Sequence, residues 1–235
     1  MAYDPYLPAF EVLIPMLLEA YDEKGVADPQ LTEPIKVIQN WDYRTSKESV
    51  AMSLAHFFGM NFMRNHGNIN YLISFNATFG EAPNPSSSEN LATFSQTIEA
   101  MHAEFGSWNT PWGEINRFQR LTGAIGLKLD YSKPYFPVGQ TSGTWGALAA
   151  YGARSTEDAK RLYGYRGNSF VAVVEFGEKV KAKSMLAGGQ SADPNSPHFY
   201  DQAQRYADAN FKEVAFYRED VEKRMQEKYV PGKRM

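Results

Sequence analysis

The sequence contains no cysteine, which removes disulfides, thiolate nucleophiles and cysteine-ligated zinc at once. That absence is compatible with either cytoplasm or periplasm. No charge of one sign dominates: 24 basic and 27 acidic residues are interspersed and leave a net charge of −3. No basic face is therefore offered to nucleic acid or to an anionic membrane, and neither is expected as a partner. Long apolar runs are missing too. None approaches the roughly 18 residues of a membrane-spanning helix, and the first residues lack the basic-then-apolar-then-small order of a secretory signal. What is present is enough for a globular core: 235 residues, 43% hydrophobic and 14% aromatic, can bury one sizeable core or two modest ones.

The first third reads as helix. In "AFEVLIPMLLEAYDEK", Ala9 to Lys24, the residues Phe10, Leu13, Ile14, Leu17 and Leu18 form one apolar helical face, and Gly25 is a stop signal. Pro15 is expected to kink this helix or to mark its regular start. A second helix follows Pro34 with Ile35, Val37, Ile38 and Trp41, and a third opens at "SKES", where Ser46 stands three residues before Ser49 in a capping pattern that lacks its acid. The third helix carries Met52, Phe57, Phe58, Met60 and Phe62 nearly all round. It should be buried on more than one side, with partners expected outside this chain.

"GEAPNPSSSEN", Gly80 to Asn90, reads as a long surface loop leading into a helix from Glu89 to Glu104. The chain is thus read as a single piece over 1–235, mainly helical over 1–105 and built of strands plus C-terminal helices over 106–235. After Gly106 come "GTWGALAAYG", "NSFVAVVEFG" and "VKAKSMLAGG", all β-like. "SFVAVVEF" has the unbroken β-branched and aromatic content of a buried strand, and "GEK" turns it into "VKAKSML", which alternates and should face solvent on one side. The pair reads as an antiparallel hairpin. A helix from Tyr200 to Asn210, a short extended "FKEVAFY" and a charged helix from Arg218 close the chain.

Chemistry is sparse. Neither HExxH nor a close pair occurs among the 4 histidines, so no metal site is expected. His56, His66 and His102 read as core or helix-surface residues. His198 lies near Ser191, Asp193, Ser196 and Asp201 in "GGQSADPNSPHFYDQ", Gly188 to Gln202. Triads, however, are assembled from separated segments and no GxSxG elbow is present, so a corner in which His198 and Asp201 tie down backbone is preferred. "GQTSGTWG" lacks the Lys-Ser/Thr of a phosphate loop and the glycine spacing of a dinucleotide site, and no cofactor is expected. Trp108, Trp112 and Trp145 are read as core rather than as a pocket lining. No catalytic residue is assigned.

Several segments nevertheless fall in a recognisable order. "IQNWDYRTSKESVA", "WGEINRFQRL", "GNSFVAVVEF" and "GGQSADPNSPHFYDQAQRYADANFKEVAFYREDVEKRM" resemble, in sequence, successive elements of the penicillin amidase family, and "SPHFYDQ" with "VVEF" is closer to its acyl-homoserine-lactone and aculeacin-type acylases. The resemblance covers about residue 33 to 228. It implies an α+β chain forming the C-terminal portion of an N-terminal-nucleophile hydrolase αββα sandwich, in a periplasmic or secreted enzyme. Such enzymes cleave themselves to expose a serine whose own α-amino group is the base for attack on an amide carbonyl. This chain begins Met1-Ala2-Tyr3 and shows neither the family's Ser-Asn nucleophile motif nor its oxyanion asparagine motif. The expected partners are therefore the N-terminal remainder of the acylase (α chain and first part of the β chain) or a second copy of this chain, with an N-acyl small molecule as substrate of the complete enzyme. The polar loop from Gly188 to Gln202 would be architectural, with Gln190 and His198 matching no catalytic position of the family. The alternative reading is a family-derived module that binds and does not catalyse.

Overall fold

A computed structural model describes residues 3–67, 85–120, 129–156 and 159–228. It divides into two compact units, Met1–Asn168 and Ser169–Met235. In the first, helix α1 (Phe10–Ala20) buries Phe10, Leu13, Ile14 and Leu17, the face its spacing predicts. It runs through Pro15 and continues into one π-helical turn, Tyr21–Gly25. From this turn Glu23 accepts from Ser87 Oγ, and Lys24 Nζ donates to Ser88 Oγ at 3.4 Å.

Helix α2 (Pro29–Gln39) starts earlier than expected. The Asp28 side chain accepts from the Gln30 amide at 2.9 Å and Pro29 takes the first helical position, so the start signal lies there, while Pro34 sits buried inside the helix. Helix α3 (Val50–His66) is capped by Ser49, which accepts from the Met52 amide at 3.0 Å. Ser46 instead donates to Glu48 at 2.6 Å. Helix α4 (Ser87–Phe105) opens with a complete capping box between Ser86 and Glu89. Residues 80–84 of the preceding loop lie outside the described residues.

The cover for α3 comes largely from within the chain, which corrects the expectation of an outside partner. Phe58 and Phe62 are fully buried, and Phe58 meets Phe94 of α4 edge-on at 5.6 Å. Met60 alone of the five aromatic and methionine positions is exposed, at 41%. After the short helix α5 (Trp112–Ile115) the chain enters a four-stranded sheet. Its strands are β1 (Asn116–Phe118), β2 (Phe136–Pro137), β3 (Tyr151–Thr156) and β4 (Ala159–Gly167), in the order β2-β1-β4-β3. Only β1 and β4 run parallel.

"GTWGALAAYG" is mostly not strand. Gly143–Trp145 forms a 3-10 turn and β3 begins only at Tyr151. Ser142 caps the turn by accepting from the Thr144 amide. Gly146 follows at φ +92°, packed so closely on Pro8 that a β-carbon there would collide. The turn thereby drives Trp145 into the core, where it is 0% exposed.

The second unit holds the expected hairpin: β5 (Phe170–Glu175) pairs antiparallel with β6 (Lys181–Leu186), in register from Phe170↔Leu186 to Glu175↔Lys181. β7 (Lys212–Glu213) adds on the other side of β6, giving the order β5-β6-β7. Helices α6 (Ala203–Ala207) and α7 (Arg218–Arg224) complete it. Burial of "SFVAVVEF" is overturned: Phe170 is 63%, Val173 51% and Phe176 84% exposed, and β5 is an edge strand. The composition of the strand is that of an interior one, but within the described residues it has a neighbour along one edge only. The chain is α+β, a helical first third followed by mainly antiparallel strands and a closing helix. Among the described residues no helix is long and apolar enough to cross a membrane.

Candidate functional site

The loop from Gly188 to Gln202 is tied by its backbone. The Ser191 amide donates to the His198 carbonyl at 3.1 Å and the Gln202 amide to the Gly188 carbonyl at 2.9 Å. Ser191 Oγ, Asp193 Oδ1 and Ser196 Oγ accept from the amides of Asp193, Asn195 and His198. All three side chains are thereby turned onto the loop itself. His198 Nδ1 stands 2.9 Å from Asp201 Oδ2, and the two side chains, 70% and 41% exposed, bond each other rather than tie down backbone, which corrects the expectation. Among the described residues no serine hydroxyl bonds the other ring nitrogen.

The His198 and Asp201 pair therefore belongs to the surface class, worth at most about 1 kcal/mol. His198→Ala is expected to lower unfolding free energy by no more than that. Gly189→Ala should cost more, about 1–3 kcal/mol, because its new β-carbon would collide with the His198 carbonyl. Urea unfolding of both variants checks the order. A loss in His198→Ala of about 3 kcal/mol, the cost of leaving a buried group without its partner, would show that the ring does more than sit on the surface.

The other histidines lie in the first unit. His66 Nε2 is 3.0 Å from Thr93 Oγ1, and His102 is exposed in the last turn of α4. His56 is the chemically distinct one. Its Nδ1 accepts from Trp145 Nε1 at 3.0 Å, and its ring lies 4.6 Å from that of Trp112. Indole nitrogen only donates, so the proton of the neutral imidazole is on Nε2. Burial pushes the His56 pKa down to about 3 and holds the ring neutral. Trp112 and Trp145 are core residues, as expected.

His56 also forms part of the wall of an open groove of about 810 Å³. The C-terminal halves of α3 and α4 make one side and the β3–β4 hairpin the other. Phe57, Met60, Met63, Met101 and Leu162 give it an apolar lining, and Arg64, Glu104, Arg154 and Lys160 carry its charge. Sequence reading missed this feature because its lining comes from separate segments; the one local signal is the Phe57, Met60, Met63 spacing on a single helix. Among the described residues no group of His, Asp and Glu is arranged to hold a metal ion.

Comparison with known proteins gives two findings. The family model described as penicillin amidase matches residues 1–223. Among solved structures, a thermostable penicillin G acylase from Alcaligenes faecalis is similar over 99% of this chain and 48% of its own, at 13% identity and a TM-score of 0.48. The chain thus spans about half the length of that structure.

Proposed function

The chain belongs to the penicillin amidase family, and on that premise we propose that it is part of an acylase that hydrolyses the amide bond of N-acyl substrates, acyl-homoserine lactones or penicillin-like amides, in a periplasmic or secreted enzyme. In this reading the chain supplies strands and helical support. The nucleophilic serine, with its own α-amino group as base, comes from a segment N-terminal to it.

The observation that carries the reading is β5. It is apolar along its length and exposed, with Val173 at 51% and Val174 at 45% on opposite faces, and its outer edge carries no ladder among the described residues. A long apolar edge is a template for another strand, and proteins seldom leave one open. The remainder of the acylase would supply the missing neighbours. The histidines agree with this division of labour: Trp145 occupies His56 Nδ1, and His198 faces Asp201 at the surface.

The test compares the chain alone with the chain co-produced with an upstream segment carrying the Ser-Asn junction. Long-chain acyl-homoserine lactones and phenylacetyl amides are followed by mass spectrometry, and β5 amides by hydrogen exchange. The chain alone should be inert, since loss of even one oxyanion donor costs about a hundredfold or more in rate. The β5 amides that point away from β6 should be protected only in the assembly. Turnover by the chain alone, or outward β5 amides already protected without a partner, would overturn the reading.

A further inference from the structure

We propose that the groove between α3, α4 and the β3–β4 hairpin is a binding site for an aliphatic carboxylate. The groove alone carries this, independently of the acylase reading. Its volume, about 810 Å³, lies within the range of roughly 300–1,000 Å³ typical of small-molecule sites. Met60, Met63 and Met101 contribute three thioethers to its lining beside Phe57 and Leu162. Unbranched, polarizable methionines adapt to a flexible chain better than branched side chains do.

Charge selects the head group. Arg64, Arg154, Lys160 and Glu104 all line the groove, and among the described residues none of the four is in an ion pair. Arg154 lies over the Tyr165 ring at 4.7 Å, which holds its guanidinium without neutralising it. Behind the lining, Arg161 sits 4.9 Å from the Phe105 ring with Nη1 buried and without a hydrogen-bond partner. Among the described residues the lining is thus net positive beside apolar walls, where fields are focused. An anion is favoured.

The helices limit how much negative charge it accepts. Both α3 and α4 bring their C-terminal halves to the groove, the ends that carry negative partial charge and repel anions. Glu104 stands at one of them. A phosphate dianion would meet both, whereas a single carboxylate can settle on Arg154 and Lys160 of the hairpin and leave its chain along the methionines. His56 adds a neutral N–H to the wall without adding charge.

Calorimetric titration of the full chain with hexanoate, octanoate and decanoate, kept below their micellar range, tests this. Affinity should rise about fourfold per added methylene. Lys160→Gln combined with Arg154→Gln should weaken decanoate at least tenfold, decanol should bind correspondingly more weakly than decanoate, and inorganic phosphate should not compete. Met60→Glu, at an exposed position, should abolish binding while circular dichroism and urea unfolding remain those of the parent. No heat with decanoate at millimolar concentration, no dependence on chain length, or binding that survives Met60→Glu would overturn the site. So would loss of decanoate binding once the upstream segment is co-produced, because a polypeptide would then be the occupant; acylase activity plays no part in any of these readouts.

Discussion

Trp145→Ala is expected to lower the free energy of unfolding by about 3–5 kcal/mol, the range for truncating a buried aromatic. The indole is 0% exposed and its ring lies 5.0 Å from that of Phe10. It is seated in a notch of α3 made by Gly59, where a β-carbon would stand 2.5 Å from Trp145 Cη2. Alanine would empty that notch and also orphan His56 Nδ1. The notch gives an internal check. Gly59→Ala should be costly in the parent, by about 1–3 kcal/mol of overpacking, yet nearly free in Trp145→Ala, since the two residues compete for one space. Chemical denaturation of the two single variants and the double variant measures both. A Trp145→Ala loss below about 1 kcal/mol, or strict additivity with Gly59→Ala, would mean that the turn does not key the helix.

Acidification should produce the second large effect. The His56 pKa falls from 6.5 to about 3 on folding, so the unfolded chain takes up a proton at this residue that the folded chain refuses. Stability from this group is complete above pH 6.5, declines as pH falls through that value, and levels off near the folded pKa of about 3. The slope is at most about 1.4 kcal/mol per pH unit for one proton, and a few kcal/mol accumulate across the window. Carboxylates titrate in its lower part, so the comparison is with His56→Gln, whose amide oxygen can still accept from Trp145. Urea unfolding between neutral pH and about pH 4, above the range where most carboxylates are protonated, should show a shallower loss in His56→Gln. Parallel curves for the two proteins would reject the assignment.

Local signals in the sequence placed most of the elements. The apolar spacing of Phe10, Leu13, Ile14 and Leu17, the Ser86 and Glu89 box, and the β-branched run before "GEK" each act within a few residues, and each element formed where they stand. Errors arose where one local signal competed with another. Pro34 looked like a helix start, but Asp28 and Pro29 provide a better one. "GTWGALAAYG" looked like strand, but the core's demand for Trp145 folds it as a turn. Burial of β5 was misjudged for a different reason: its composition is that of an interior strand, but among the described residues it has a neighbour along one edge only. The groove was illegible because Met60, Met101 and Leu162 meet only through tertiary packing, whereas the loop around His198 was legible as a locally bonded turn, although Ser191, Asp193 and Ser196 hold its backbone in place of His198 and Asp201.

The π-helical turn at Tyr21–Gly25 has a consequence for how this sequence tolerates insertion and deletion. Such a turn is an α-helix carrying one residue more than its ladder needs, so a change of one residue in length can be absorbed here without breaking the helix. Gly25 belongs to that accommodation, because a β-carbon there would stand 2.6 Å from Tyr21 Cδ2. Deleting one residue within the turn would restore the regular ladder but remove or reposition the residues that the wide turn presents. Glu23 and Lys24 would swing away from Ser87 and Ser88, the two residues that open α4. Homologous sequences that lack the extra residue should therefore also differ at the α4 start, with the length of one helix and the first residues of another changing together.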